Sequence, residues 1–295
     1  MITVSSLTKK FGAITAVDGI SFTVAPGSLF GLLGPNGAGK STTINMIVGA
    51  LPADGGTIAI DGAQDPTQPS VRARIGNAPQ ALAIYEDLTG EENLAFFGRL
   101  YGLRGPRLKE RVRFCLEFAG LVERQTDRVG TYSGGMKRRL NMACAIVHDP
   151  PLILFDEPTV GVDPQSRYLI FEQIEKLRRE GRTIVYTTHY MEEAQRLCDT
   201  VAIIDHGKIL DLDSVPGLIA RHGGKAVITA ELERLPEGKQ LPGVVVEGQL
   251  RFESDRPLED VARLHADGIA FHTLKVDNPD LESVFLNLTG RRLRD

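Results

Sequence analysis

The feature of the sequence that most constrains its fold is a glycine-rich segment at residues 34–41, which reads GPNGAGKS. It fits the pattern G-x-x-x-x-G-K-[ST], and it stands between the apolar run Leu29–Leu33 and a helical pattern at residues 41–48. Glycines let a backbone wrap closely around an anion, and a helix N-terminus directs N–H groups and positive potential at it. The segment therefore predicts a strand, a phosphate-binding loop and a helix in succession, in preference to a glycine-rich turn without a ligand.

The side chains of this loop suit the phosphates of a nucleotide. Lys40 places a point charge toward the terminal phosphates, and the hydroxyl of Ser41 is a suitable ligand for Mg²⁺. We expect the neighbouring residues of the loop and of the first helical turn to bind the nucleotide as well, namely Asn36, Gly37, Ala38, Gly39 and Thr42.

A second segment combines a buried strand with acidic residues. Residues 152–157 read LILFDE, so four apolar residues end in two carboxylates. A parallel sheet delivers such carboxylates to the edge where phosphates bind, and there Asp156 would hold Mg²⁺ while Glu157 orients or deprotonates the attacking water. Alone, the segment fits equally well a strand that runs out into a solvated acidic turn. Beside the phosphate-binding loop, it favours ATP hydrolysis.

Composition limits the class of protein. The chain has 295 residues, of which 42% are hydrophobic and 24% charged, with a net charge of −4. These values are typical of a soluble globular protein without the basic footprint of a nucleic-acid-binding protein. No apolar run approaches the roughly 20 residues of a membrane span and the N-terminus lacks a secretion signal, so we expect an intracellular protein. The cysteines form no C-x-x-C pair, and we expect buried thiols at Cys115, Cys144 and Cys198.

Hydrophobic patterning predicts an α/β fold. Apolar and β-branched runs predict strands at residues 20–24, 29–33, 57–60, 152–155, 183–187 and 201–204. Helical patterns at residues 165–180 and 191–198 alternate with the later strands, which favours a layered domain with a largely parallel sheet. The early strands follow one another without helices, so we expect an antiparallel β portion near the N-terminus.

Thr89 and Ser133 predict the starts of two helices. Thr89 and Glu92 form a capping box, and Ser133 precedes a helical pattern with one apolar face. We assign this helical subdomain to about residues 88–148 of a first domain at residues 1–221. After a glycine-containing linker at residues 222–225, short alternating runs and a helical pattern at residues 258–266 predict a small α+β accessory domain at residues 222–295.

The order of several motifs resembles one family, the ABC-type ATPases, over about residues 1–220. Residues 132–136, YSGGM, are similar to the signature loop that stands before the acidic strand in that family. Gln80 resembles its glutamine-loop residue, Asp163 its aspartate-loop residue and His189 its switch histidine. Phe11 stands where the family places an aromatic ring for the adenine, although alone it would also fit a core residue at a strand end.

The resemblance implies a P-loop ABC-type ATPase that works as a head-to-tail dimer with a second protomer, expected to be identical. Each ATP would be held by the phosphate-binding loop of one protomer and by Ser133, Gly134 and Gly135 of the other. ATP binding would close the dimer, and hydrolysis would reopen it. The signature usually reads LSGGQ, so Tyr132 and Met136 depart from it, whereas the Ser-Gly-Gly that meets phosphate is intact.

The resemblance also implies roles in hydrolysis. Glu157 is the expected base, His189 would hydrogen-bond the γ-phosphate, and Gln80 would contact Mg²⁺ or the water. The expected metal ligands are therefore Ser41, Gln80 and Asp156, and Phe11 and Asp163 join the residues expected to bind ATP.

Two segments look like the drug-resistance-type exporters of that family, the branch similar to the daunorubicin-resistance ATPase: residues 131–140, TYSGGMKRRL, and 279–290, PDLESVFLNLTG. In that branch a separate polytopic permease crosses the membrane, which implies a peripheral position on the cytoplasmic face of the cell membrane. The cargo would be a drug, a lipid, a polysaccharide or a similar compound. In the family, the helical region after Gln80 receives a short helix of the permease, and we expect Phe97 and Tyr101 to line that groove. The accessory domain would be regulatory or would support the dimer.

Two other functions compete with transport. A soluble ABC ATPase that acts as a nucleic-acid or ribosome switch usually carries two phosphate-binding loops or a long coiled coil, whereas this chain has one loop and no sustained heptad run. A regulatory module that binds ATP without turnover conflicts with the presence of Glu157 and His189. We therefore expect ATP and Mg²⁺ as cofactors, a permease and a second protomer as partners, and no nucleic acid.

Overall fold

The computed structural model describes residues 1–63, 65–233 and 241–291, which form two compact units, Met1–Val215 and Pro216–Asp295. The strands of the first unit are β1 (Ile2–Phe11), β2 (Ile14–Val24), β3 (Leu29–Leu33), β4 (Gly55–Ile60), β5 (Ile75–Ala78), β6 (Leu152–Asp156), β7 (Thr183–Thr188), β8 (Thr200–Asp205) and β9 (Lys208–Ser214). Its helices are α1 (Lys40–Ile47), α2 (Pro69–Arg72), α3 (Gly90–Leu100), α4 (Gly105–Ala119), α5 (Gly134–Ile146), α6 (Pro164–Arg179) and α7 (Met191–Leu197). The elements that follow are α8 (Val215–His222), β10 (Ala226–Leu232), β11 (Val244–Val246), β12 (Gln249–Ser254), α9 (Pro257–Ala266), β13 (Phe271–Asp277) and α10 (Leu281–Thr289).

A six-stranded sheet forms the centre of the first unit, in the order β5-β6-β7-β3-β8-β9. The first five strands are parallel, and β9 pairs with β8 in the antiparallel sense. Every residue of β3, β6 and β7 is buried, which explains the apolar runs at residues 29–33 and 152–155. The register pairs Leu33 with Thr188 and Asp156 with Thr187. The segments that follow these three strands therefore meet at one edge of the sheet.

The antiparallel portion expected near the N-terminus is a three-stranded sheet in the order β2-β1-β4. Its buried side chains share one core with β3 and α1, where the rings of Phe22 and Phe30 stack with centroids 5.0 Å apart. This core anchors the helix that follows the phosphate-binding loop. The sequence did not predict β1, because a register shift beside Ser6, which has a φ of 49°, breaks the alternation of buried and exposed residues.

The helices α3, α4 and α5 follow β5 and precede β6 in the sequence, and they pack on one another. The capping box of α3 is confirmed, since the Thr89 hydroxyl accepts from Glu92 N at 3.1 Å and the Glu92 carboxylate accepts from Thr89 N at 2.8 Å. Ser133 caps α5 as predicted. The strand β5 was not predicted, because it has only four residues and two of them are Gly76 and Asn77. It leads directly to Gln80.

The second unit contains a four-stranded antiparallel sheet in the order β11-β12-β10-β13. Helix α9 and this sheet share a core of Ile228, Leu232, Leu250, Phe252, Leu264 and Ile269. The segment that the sequence suggests as a linker, residues 222–225, spans the last residue of α8 and the connection to β10. The sequence did not predict β13, because most of its side chains are exposed and it lacks an apolar alternation.

The three cysteines are buried and free, as predicted. Burial raises the pKa of the Cys115 thiol to about 12, so this thiol is protonated at neutral pH. Across residues 1–63, 65–233 and 241–291, none of the helices combines the length and the apolar composition of a membrane span.

Candidate nucleotide site

The phosphate-binding loop is held by close backbone packing. A Cβ atom on Gly34 would lie 2.0 Å from the carbonyl oxygen of Ile204, and one on Gly39 would lie 2.5 Å from that of Ala16. Gly39 also has a φ of 107°, which only glycine adopts readily, and it directly precedes the first residue of α1. These two glycines are therefore required by the fold of the loop itself. No atom lies within 4 Å of a Cβ placed on Gly37, so the middle of the loop is open to a ligand.

The ammonium group of Lys40 lies inside this loop. The residue is 4% exposed, and its Nζ donates to the carbonyl oxygens of Gly34 at 2.7 Å and Pro35 at 3.0 Å. It also forms an ion pair with Glu157, with 2.9 Å between Nζ and Oε1. The loop and the acidic strand end are thus joined by one buried charge pair.

Three predicted residues converge on the Glu157 carboxylate. Besides the contact of Lys40 with Oε1, the amide Nε2 of Gln80 donates to Oε2 at 3.1 Å, and Nδ1 of His189 lies 3.3 Å from the same oxygen. The backbone of Glu157 has a φ of 46°, in the left-handed region that costs a non-glycine residue about 1 kcal/mol. Its N–H donates to Thr187 Oγ1 at 3.0 Å, which holds this turn. A strained backbone at a buried carboxylate is a frequent property of catalytic residues.

Asp156 is the last residue of β6 and is 5% exposed. Its carboxylate accepts a hydrogen bond from the hydroxyl of Thr187. A carboxylate, the hydroxyl of Ser41 and the amide oxygen of Gln80 are the hard oxygen donors that Mg²⁺ prefers, so the chemistry of the predicted donor set fits this ion.

The signature loop is exposed at its first two phosphate-binding candidates, Ser133 and Gly134. Ser133 caps α5, and its Oγ accepts from Met136 N at 3.3 Å, which leaves the hydroxyl hydrogen able to donate elsewhere. Ser133 and Gly134 are exposed, and no atom lies within 4 Å of a Cβ placed on Gly134. Among the described residues, no hydrogen bond or ion pair joins residues 133–135 to residues 34–41. The fold alone therefore does not explain a glycine at residue 134.

Gly135 differs from its neighbour because it is buried against α6. A Cβ there would lie 2.2 Å from Oγ and 2.6 Å from Cβ of Ser166. The departure at Tyr132 also has a local cause, since its buried ring places the hydroxyl where it donates to the carbonyl oxygen of Arg124 at 2.6 Å. Tyrosine thus fills the usual leucine position and gains a hydrogen bond.

Phe11 and Asp163 occupy exposed positions in the first unit. Phe11 ends β1 and is 50% exposed, so the alternative that it is a core residue is wrong. The ammonium of Lys9 lies 5.6 Å from the centre of its ring. Asp163 caps α6, where its carboxylate accepts from Ser166 N at 2.9 Å, and this bond holds the pKa of the carboxyl below its usual range. Binding of ATP by these two residues stays a prediction.

Sequence reasoning missed two residues that support the site. The hydroxyl of Thr187 donates to Asp156 and accepts from the N–H of Glu157. Three of the six residues of β7 are threonines, so no signal in the sequence distinguished this one. The carboxylate of Glu193 is 2% exposed and accepts from the hydroxyls of Tyr186 and Thr188, each at 2.8 Å. Both partners precede His189, so Glu193 holds the end of β7 that leads to this histidine.

Comparisons with known proteins agree with this site. Residues 17–160 match the family described as ABC transporter. The chain is 42% identical to the linearmycin resistance ATP-binding protein of Bacillus subtilis, with 100% of both chains covered. It is 41% identical to the Nod factor export ATP-binding protein I of Paraburkholderia xenovorans, with 97% of this chain and 96% of that protein covered.

Two solved structures share the fold. The structure of an ATP-binding subunit of an ABC transporter has a TM-score of 0.69 and 30% identity, and the match covers 76% of this chain and 93% of that chain. A dimeric post-hydrolysis state of an ATP-binding cassette bound to ADP and Pi has a TM-score of 0.67 and 25% identity, and the match covers 72% of this chain and 98% of that one.

The fold and the convergence on Glu157 define an α/β ATPase with a phosphate-binding loop, an antiparallel β portion and a helical region. The chain belongs to the family of ABC transporter ATP-binding subunits, in the branch of drug-resistance-type exporters. It binds ATP and is an ATPase.

Proposed function

We propose that this chain powers an exporter by the closing and reopening of an ATP-dependent dimer. Each ATP is held by residues 36–42 and Phe11 of one copy, and by Ser133, Gly134, Gly135 and Asp163 at the face of a second copy. The observation that carries the proposal is the contrast between Glu157, which Lys40, Gln80 and His189 all approach, and the exposed signature loop. One copy supplies the hydrolysing groups, and its signature loop is open to the nucleotide of the other.

Glu157 acts as the general base in this proposal. The oxygens of a triphosphate in the loop compete with Glu157 for the ammonium of Lys40, because both are anionic. The released carboxylate accepts a proton from the attacking water, while His189 donates to the γ-phosphate and Gln80 orients the water. The signature residues Ser133 and Gly134 add donors and the N-terminal end of α5 at the same phosphate.

The same site suits Mg²⁺, which needs only a few ligands from the protein. Ser41, Asp156 and Gln80 would hold it, and the described residues contain no cluster of three or more His, Cys, Asp or Glu side chains able to form a metal cage. This agrees with Mg²⁺ bound through one carboxylate, with phosphate oxygens and waters completing its shell. The ion would neutralise charge that develops on the phosphates during transfer.

The helical region offers a surface for a separate membrane permease. Tyr85 is 50%, Leu100 65% and Tyr101 42% exposed. Phe97 is half-buried, and its ring lies 6.3 Å from that of Tyr85. An apolar, aromatic patch of this kind on a surface is typical of a protein interface. Docking there places the chain on the cytoplasmic face of the cell membrane.

The cargo is proposed from the relatives. They are a linearmycin resistance protein and Nod factor export proteins, which supports export of a drug, a lipid, a polysaccharide or a similar compound by this chain.

Purification of the chain from cells tests the partner. We expect a polytopic membrane protein to be recovered with it, and Leu100→Glu to abolish this recovery by placing a charge in the apolar patch. Leu258→Glu is the matched control, because Leu258 is 81% exposed and lies in the second unit. Recovery with ribosomes or DNA alone would favour the soluble nucleic-acid or ribosome switch and overturn the proposal.

A further inference from the structure

Helix α5 begins at the signature loop and is called the signature helix below. A buried arginine on this helix holds the backbones of the glutamine loop and of the segment before Asp163. Arg138 lies in α5 and is 8% exposed. Its Nη1 donates to the carbonyl oxygen of Gln80 at 2.6 Å, and its Nη2 donates to that of Val160 at 3.3 Å. Val160 lies in the turn that precedes Asp163. One guanidinium therefore joins the signature helix, the glutamine loop and the aspartate loop.

Asn141 binds the same glutamine loop from the same face of α5. Its Nδ2 donates to the carbonyl oxygen of Pro79 at 3.2 Å, and its Oδ1 accepts from Ala83 N at 3.0 Å. Residues three apart share a helix face, so Arg138 and Asn141 together hold the backbone on both sides of Gln80. The side chain of Gln80 is then directed at Glu157 Oε2, 3.1 Å away.

The charge and shape of arginine both suit this position. Burial lowers the pKa of the Arg138 guanidinium, and the carboxylates of Asp156 and Glu157 oppose that effect. The group stays charged at neutral pH, since its ordinary pKa is far above that range. Its planar fork can donate to two separate carbonyls in a fixed geometry, which a single ammonium does less well.

We propose that Arg138, supported by Asn141, is a positioning residue that sets Gln80 against Glu157 and joins the signature helix to the hydrolysing centre. The inference rests on the proposed function, in which Gln80 acts on the water or on Mg²⁺. Because α5 begins at the signature residues, a shift of this helix on contact with the second copy's ATP carries the Gln80 carbonyl with it. ATP held by the phosphate-binding loop of one copy thereby adjusts the position of Gln80 against Glu157 in the other copy.

The test compares Arg138→Gln with Arg111→Gln in the full-length chain. Arg111 is a matched control, because its guanidinium also donates to two carbonyl oxygens of this region, those of Val147 at 3.0 Å and Ile146 at 2.7 Å. We expect Arg138→Gln to lower kcat for ATP hydrolysis about tenfold with the Kd for ATP changed less than about twofold, because positioning acts in the transition state. Arg111→Gln should lower Tm and leave kcat within about twofold.

A double-mutant cycle separates positioning from general loss of structure. If Arg138 acts through Gln80, adding Arg138→Gln to Gln80→Ala costs less than about twofold in kcat, because the positioned group is already gone. Additive effects, or a kcat for Arg138→Gln equal to that of Arg111→Gln, would overturn the inference. A normal kcat for Gln80→Ala alone would instead overturn the role of Gln80 in the proposed function.

Arg138→Lys covers the case in which the glutamine variant fails to fold. Lysine keeps the positive charge beside Asp156 and Glu157 but loses the fork, so we expect kcat to stay about fivefold below that of the unaltered chain. Complete restoration of kcat by lysine would assign the effect to charge alone and contradict a positioning role.

Discussion

The phosphate-binding loop and the signature loop both stand at the start of a helix, but their surroundings differ. The first is enclosed: Lys40 is buried and contacts Glu157 and two carbonyl oxygens of its own loop. The second is open, with Ser133 and Gly134 exposed. A helix N-terminus attracts anions in both places. The difference fits the proposed function, in which the first loop holds ATP within one chain and the second loop binds a nucleotide held by another copy.

Glu157→Gln is expected to give the largest effect, because it removes the proposed base beside the phosphate-binding loop and leaves the signature loop intact. We expect hydrolysis to fall about a thousandfold, while ATP binding persists and an ATP-locked dimer accumulates. Phosphate release and size-exclusion chromatography with ATP measure the two effects. Glu192→Gln, at an exposed residue of α7, is the control. An unchanged hydrolysis rate in Glu157→Gln would remove this residue from the base role.

Lys40→Ala tests the phosphate-binding loop through the affinity of the chain for ATP. Removal of the ammonium loses charge-assisted hydrogen bonds to the phosphates, so we expect the Kd for ATP to rise about a hundredfold. Isothermal titration calorimetry measures this change, with the exposed Lys109→Ala of α4 as the matched control. Normal nucleotide affinity in Lys40→Ala would contradict the assignment of the loop.

Alanine substitutions at two neighbouring glycines test the signature loop. Gly134→Ala adds a Cβ that meets no atom of this chain within 4 Å, so we expect Tm to be unchanged and ATP-dependent association to weaken about tenfold. Gly135→Ala places its Cβ 2.2 Å from Ser166 Oγ and should lower the stability by about 1–3 kcal/mol. Thermal denaturation and analytical ultracentrifugation measure the two properties. Association of Gly134→Ala equal to that of the unaltered chain would mean that no second molecule approaches this glycine.

Phe11→Ala should give the smallest effect. The exposed ring is proposed to stack on adenine, so its loss should raise the Kd for ATP about fivefold with little change in Tm. Ile14→Ala is the control, because Ile14 pairs with Phe11 across the same hairpin and is 70% exposed. Equal affinities of these two variants for ATP would contradict a role for Phe11.

The same comparison explains what the sequence could predict. The phosphate-binding loop is one continuous segment, and β3, β6 and β7 are buried on every residue, so local patterns were sufficient for both. The convergence on Glu157 depends instead on the strand register and on a left-handed backbone, which no local pattern encodes. The Arg138 guanidinium reaches the carbonyl of a residue 58 positions away, so its partner was visible only in the folded chain.

Mixing two disabled chains tests the central claim, that one ATP site is built from two copies. Lys40→Ala lacks a functional phosphate-binding loop, and Gly134→Trp blocks the signature loop, where an added side chain meets open space in this chain. Both variants also carry the Glu157→Gln substitution. The association of the labelled chains is followed by energy transfer between their labels. We predict ATP-dependent association in the mixture and none in either variant alone, because the mixed dimer keeps one complete site. A mixture that associates no more than the separate variants would contradict the composite site.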